Sequence, residues 1–326
     1  MVGGRLAAFG PERIRVVSWD GRTGSGVALA AARLRWLYLN LPSAVSQVRA
    51  EAVLHLLPEV GRTSQPQVIV LHDVAPLVTE ATWRQRLYFR TVVARAVRTA
   101  TGVVADSERT SQDAVSIFGL RPDRVRVVYA GVDLERFKPV SESNARRVPY
   151  LLAVGSHAPH KRLGLLMRAF AASPLARTYD LQIVGPPSRY TPALLWLRDR
   201  LGLERSTSLA PYDTVDDLAR RYAAAELYVS VSSYEGFGLP ALEALACGTP
   251  VVVTDVGAAR AYVGGAGILV PCDADVARIA DALTEGARLR AQPSIRALAR
   301  RQAERFSWDR TAVGLVDAVA DLVGSG

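Results

Sequence analysis

Lysine is almost missing from this chain: Lys138 and Lys161 are the only two among 326 residues, where Lys and Arg together number 40. We read the excess of arginine as a compositional bias, against which a lysine at a strand end stands out. Cysteine is as scarce. Cys247 and Cys272 lie far apart without metal-ligand spacing, which argues against a disulfide framework and for a reducing compartment. No Asp-x-Asp pair follows a strand and no His/Cys cluster occurs, so no metal is expected. No run of about 20 apolar residues appears, so no membrane span is expected. The opening MVGGRLAAFGPERIRVV lacks the apolar core of a signal peptide. A cytoplasmic location follows as an expectation, peripheral at the inner membrane face if the basic half meets lipid. Aromatic residues make up 7% and do not interleave with arginine in a nucleic-acid-binding pattern, so no nucleic acid partner is expected.

Apolar residues are plentiful at 49% and spread throughout. At this length they predict two globular domains. The formal charge of +9 is uneven: residues 1–148 hold 21 Arg/Lys against 13 Asp/Glu, and the remainder 19 against 18. A basic first half suits an anionic partner, such as a membrane face, a lipid headgroup or a phosphorylated acceptor, and equally suits a solvated arginine-rich surface.

Along the chain, residues 14–18 (IRVVS) read as a strand. Leu34–Leu57 reads as a helix, a break near Pro42 and a second helix. Gln67–Leu71 is a buried strand ending at His72-Asp73. Thr82–Arg98 is a helix with five arginines around Trp83, Leu87, Tyr88 and Phe89. Gly102–Ala105 and Arg126–Tyr129 are strands, and Ser107 caps the helix between them. A polar stretch with two prolines, Lys138–Pro149, marks a boundary. From Tyr150 strands and helices alternate again, which predicts a doubly wound parallel sheet in each half.

Tyr234–Pro250, YEGFGLPALEALACGTP, sits between the apolar runs ELYVSVSS and VVVT. It reads as strand, Gly-rich turn, short helix, Gly stop and strand. Gly236 and Gly238 expose backbone amides where the helix starts, Pro240 suits its first turn, and Gly248 can take the left-handed conformation that ends it. Glu235 and Glu243 flank the turn, with Glu243 placed in the first helical turn. Such a helix start at the carboxyl edge of a sheet suits a polyhydroxylated or anionic ligand. A second such edge is Tyr150–Leu163, YLLAVGSHAPHKRL: a strand ends at Gly155 and a helix begins after Lys161, whose ammonium is a mobile point charge suited to a diphosphate.

The string E-G-F-G-L-P-x-L-E-A-x-A-x-G-x-P-V resembles the donor-sugar motif, E-x7-E, of the retaining glycosyltransferases of family 4. A bare E-x7-E carries little; the longer string is specific. The block Ala105–Phe137 resembles the part of that family that closes its first domain. The resemblance implies the GT-B fold: α/β, two facing Rossmann-like doubly wound domains with the donor site in the cleft. It divides the chain into an acceptor-side domain at 1–148, a nucleotide-sugar domain at 149–308 and a helix at 309–326 that crosses back to the first domain. The strand and Gly-rich turn with which the family usually begins have no counterpart before Ile14, and GRTGSG at 21–26 lacks a preceding strand. The first domain is therefore expected to be shortened at its start.

The resemblance also implies roles. Glu235 and the amides of Gly236, Phe237, Gly238 and Leu239 hold donor-sugar hydroxyls, and Glu243 holds the ribose. Lys161 faces the leaving diphosphate, helped by Gly155, Ser156 and His160, where the family commonly supplies an Arg at the position of Ser156 or His160. His72, in an HD-x-A-P segment, lies close to the donor sugar. Phe237 suits a wedge between the domains, and Ala261 stands where an acidic residue is common. The implied activity is retaining, metal-independent hexose transfer from a nucleoside diphosphate sugar to a lipid-linked or polysaccharide acceptor of the cell envelope. GDP-mannose is favoured as the donor, and no separate cofactor is implied. The alternative is an impaired nucleotide-sugar-binding subunit.

Overall fold

The computed structural model describes residues 2–9, 14, 27–140, 148–212 and 214–324. Contacts divide the chain into one compact unit of Met1–Ala130 with Trp308–Gly326, and another of Gly131–Ser307.

In the first unit four parallel strands, β1 (Val53–His55), β2 (Gln67–Leu71), β3 (Gly102–Ala105) and β4 (Val125–Val127), lie side by side in chain order. All of β3 and all but the first residue of β2 are buried. That is why both read as continuous apolar runs rather than as alternations. The helix Trp308–Gly324 packs Ala312, Leu315, Ala318 and Leu322 against Val68, Val70 and Val104. Ser107 accepts from the amide of Thr110 and caps the helix Glu108–Phe118, which ends at Gly119 in the left-handed conformation.

Two expectations shift here. The second helix of the early segment ends at Val48, and β1 occupies Val53–His55: Arg49 takes a left-handed conformation that turns the chain out of the helix. The helix of Thr82–Arg98 contains a π-type turn at Phe89–Val93. That turn separates Trp83–Tyr88, where no side chain is fully buried, from Ala94–Thr99, which buries Ala94, Ala96 and Val97. The strand expected at residues 14–18 lies outside the described residues.

In the second unit six parallel strands follow: β5 (Tyr150–Val154), β6 (Asp180–Val184), β7 (Thr207–Ala210), β8 (Leu227–Ser230), β9 (Val251–Thr254) and β10 (Gly267–Val270). Their order across the sheet is β10-β9-β8-β5-β6-β7. The chain lays down β5, β6 and β7 in one direction, returns, and lays down β8, β9 and β10 in the other. This is the doubly wound order, and its reversal lies between β5 and β8. At such a switch point the loops leaving the two central strands diverge and leave a crevice beyond their carboxyl ends. The core beneath is made by Leu151, Leu181, Ile183, Leu227, Val229 and Val252 against helix residues such as Leu166, Phe170 and Leu283.

The division between the units falls at Ala130/Gly131, ahead of the expected boundary. Val132 pairs with Ser307, and its amide donates to the Phe306 carbonyl at 3.0 Å. The Arg300 guanidinium donates to the carbonyls of Leu134, Phe137 and Ala246. The segment before Lys138 is thereby fastened to the second unit.

Candidate functional site

The loops after β5 and β8 meet at the switch point. Gly155 ends β5, with its amide on Val184 O at 2.9 Å. Gly185 follows β6, and a Cβ there would stand 2.1 Å from the Gly155 carbonyl oxygen; only glycine lets the two backbones pass so closely. Ser156 and His157 lead into a single 3-10 turn, Pro159–Lys161, and Arg162 takes a left-handed conformation before the helix Leu163–Ala172. The Arg162 guanidinium donates to the Cys272 carbonyl, which ties this loop to the one after β10.

The loop after β8 is sewn to this one: the Ser233 amide donates to the His160 carbonyl at 2.8 Å. The seam brings Lys161 and Glu235 together. Lys161 Nζ donates to both Glu235 oxygens, at 2.7 and 2.9 Å. Their side chains are 16% and 18% exposed. Two residues with separate expected roles, one for diphosphate and one for sugar, thus touch the same point.

The turn Glu235–Gly238 starts the helix Leu239–Ala246, with Gly238 left-handed at φ 96° and Pro240 in the first turn. The Tyr262 hydroxyl donates to the Gly238 carbonyl at 3.2 Å. Gly248, at φ 77°, follows the helix end. Glu243 lies beyond the first turn, which holds no acidic residue, so the helix dipole is not its reason for being there. It accepts from the Tyr222 hydroxyl at 2.9 Å. Burial pushes its carboxyl up to about 7, against the lowering effect of that hydrogen bond. The Phe237 ring is 4% exposed and packs on Tyr262 and Phe306 at 5.7 and 6.3 Å between centroids. It is a core residue of the second unit, and its part in any site is confined to its backbone. Tyr228, Ser230, Glu235, Gly238, Thr254 and Tyr262 are among the residues lining a small recess under the helix start.

His160 is half-buried beside Lys161 and contributes the carbonyl that holds the seam. His157 is 2% exposed and bonds Thr191 Oγ1 through Nδ1 at 2.8 Å; burial lowers its pKa.

His72 belongs to the first unit, at the end of β2. Its Nε2 lies 3.1 Å from the Leu56 carbonyl and its Nδ1 3.5 Å from Asp106. Both ring nitrogens thus face protein acceptors, an arrangement that suits the doubly protonated ring. The Asp106 hydrogen bond raises the pKa of His72, and burial opposes it. Asp73 caps its loop through the Ala75 amide at 2.8 Å.

Sequence reasoning missed Tyr222, Tyr262 and Asp106. Each acts through a partner distant in sequence, and none carries a local spacing that would reveal it. Gly257 was within reach, in TDVGAARAYVGGAG: it is left-handed, and a Cβ there would stand 3.0 Å from the carbonyl oxygens of Gly236 and Phe237. Among the described residues no group of His, Cys, Asp or Glu is placed to hold a metal.

Comparison with known proteins accords with this geometry. The model for glycosyl transferases group 1 matches residues 148–287, and that for glycosyltransferase family 4 matches residues 10–136. A D-inositol 3-phosphate glycosyltransferase of Saccharomonospora viridis is 37% identical over 253 residues, covering 71% of this chain and 58% of the relative. One from Salinispora arenicola is 38% identical over 259 residues, covering 71% and 57%. The chain thus spans a little over half the length of these relatives. Among solved structures, sucrose-phosphate synthase of Thermosynechococcus elongatus superposes with a TM-score of 0.76 at 20% identity, covering 100% of this chain and 92% of the other. Anabaena HepE in complex with UDP and glucose gives 0.66 at 22% identity, covering 88% and 82%. The fold is that of the GT-B proteins, and with both halves matched the chain belongs to the group 1, family 4 glycosyltransferases.

Proposed function

We propose that the chain transfers a hexose, with retention and without a metal, from a nucleoside diphosphate sugar to an acceptor hydroxyl. The observation that carries this is the meeting of Lys161, Glu235 and the Gly236–Leu239 turn at the switch point of the second sheet. The cation and the helix-start amides would stabilise charge developing on the departing diphosphate. The acceptor oxygen forms the new bond to the anomeric carbon on the face from which the phosphate oxygen leaves, and that oxygen takes the acceptor's proton. No protein nucleophile is needed. Glu243 would hold the ribose. His72 would lie near the sugar, although the Leu56 and Asp106 contacts must open before it donates elsewhere.

GDP-mannose remains our favoured donor. For the acceptor two chemistries compete. A lipid-linked or polysaccharide hydroxyl at a membrane face is supported by the exposed Trp83 and Leu87 among the arginines of the basic first unit. A phosphorylated cyclitol is supported by the names of the relatives. The site is tested by Lys161→Ala, which should cut turnover by a factor of about 10² or more, as expected when an electrostatic contact to the developing charge is lost. Turnover within a few fold of wild type would remove Lys161 from the diphosphate. Incubating the chain and donor with inositol phosphate or with lipid-linked glycan separates the two acceptors.

A further inference from the structure

The ion pair between Lys161 and Glu235 sets two expected ligand contacts against each other. Glu235 takes two of the three donor directions of the Lys161 ammonium, at 2.7 and 2.9 Å. Both side chains are largely withdrawn from solvent, so the contact is screened far less than a surface pair. The Ser233–His160 bond holds the two loops in register, and Gly257 lies so close that a Cβ there would stand 3.1 Å from Glu235 Cβ. The pair is therefore built into the backbone and is not a chance contact of two long side chains.

We propose that Glu235 is a specificity determinant that disfavours a bare nucleoside diphosphate relative to the nucleotide sugar. This rests on the donor reading above. A diphosphate that approaches Lys161 must draw the ammonium away from a carboxylate and then sit beside that carboxylate's negative charge. A bare nucleoside diphosphate gains nothing in return. A nucleotide sugar brings hydroxyls that donate to Glu235 as Lys161 turns to the phosphates, so both partners of the broken pair are satisfied again. The difference between two ligands, and not the affinity for either, is what such an arrangement sets. For a transferase it limits occupancy of the site by the spent nucleotide.

Isothermal titration of GDP and UDP, and of their hexose conjugates, into wild type, Glu235→Gln and Lys161→Met tests this. Glu235→Gln should bind the bare diphosphate about tenfold more tightly than wild type and the conjugate no more tightly, so that the preference for the conjugate shrinks or inverts. Lys161→Met should weaken both. Glu235→Asp keeps the charge but withdraws it by one methylene. It should shift affinity in the same direction by less, which guards against a Gln variant that fails to fold. If wild type binds the nucleotides and neither Glu235 variant gains affinity for the bare diphosphate, this inference is overturned while the donor reading stands. If wild type binds none of these ligands, both fall.

Discussion

At the scale of single residues, Glu243 makes the sharpest claim. A carboxyl normally near 4.5 is pushed up to about 7 by burial, with the Tyr222 hydroxyl as its partner. Because the folded value is the higher one, the folded chain binds the proton more tightly than the unfolded chain. The associated stability is fully present below 4.5 and is lost as pH rises through about 7. In the ribose-holding role proposed for it, ionised Glu243 is also the better acceptor for hydroxyl donors. Nucleotide affinity should therefore rise between pH 6 and 8 while the stability of the free chain falls. Glu243→Gln should flatten both curves. Titrations and thermal melts across that range check this, and an unchanged pH dependence in the variant would assign the titration to another group.

How much was readable from sequence differs residue by residue. Glu235, Lys161 and the Gly turn were legible because each sits at a fixed offset from a strand end, and strand ends are visible in the apolar runs. Their direct pairing was not, because it depends on the order β5-β8 across the sheet, and order is a property of topology rather than of local pattern. Phe237 misled for the same reason. A phenylalanine between two glycines reads as a wedge between the domains until Tyr262 and Phe306 arrive from elsewhere in the chain to bury it.

At the scale of elements, the helix Leu239–Ala246 depends on one backbone conformation. Gly238 stands at φ 96°, and a Cβ there would meet the Tyr262 hydroxyl at 2.5 Å. Gly238→Ala should destabilise the chain by roughly 1–3 kcal/mol, the cost of a strained backbone position. Combining it with Tyr262→Phe should recover part of the loss by removing the oxygen. Denaturant midpoints of the single and double variants decide; additive losses would place the strain in the backbone alone.

The helix over Thr82–Arg98 was expected whole, but its two halves do different work. The π-type turn at Phe89–Val93 leaves Trp83 and Leu87, one turn apart, 69% and 52% exposed, with Arg84, Arg86 and Arg90 exposed beside them. The Thr82–Gln85 capping box keeps that outer end ordered. Tryptophan and leucine among arginines suit the interface of an anionic bilayer, where each basic side chain adds about 1 kcal/mol. The chain should co-sediment with phosphatidylglycerol vesicles and not with phosphatidylcholine vesicles. Exchanging the three arginines for glutamine should lower the partition coefficient by a factor of about 10². Equal binding to both vesicle types, or to neither, would leave this face merely solvated.

At the scale of the whole molecule, the first unit is discontinuous: its sheet comes from the early chain, and one side of its core comes from the last helix. Leu322 sets its side chain over Gly102 so closely that a Cβ on that glycine would stand 2.6 Å from a Leu322 methyl carbon. Leu315, Ala318 and Leu322 are all buried against β2 and β3. The Arg126–Asp321 and Arg5–Asp309 ion pairs and the Thr311 hydroxyl on the Tyr129 carbonyl add polar contacts to the same docking. Being partly exposed, the two ion pairs contribute little beside the apolar contacts. Leu322→Ala should therefore cost about 2–5 kcal/mol, the range for a buried leucine that leaves a cavity. The cost should fall on the first unit alone. Hydrogen exchange resolves this: amides of β2 and β3 should lose protection in the variant, while those of β5 and β8, which share no core with Leu322, should keep theirs. Loss of protection in both sheets would mean that the two units unfold as one.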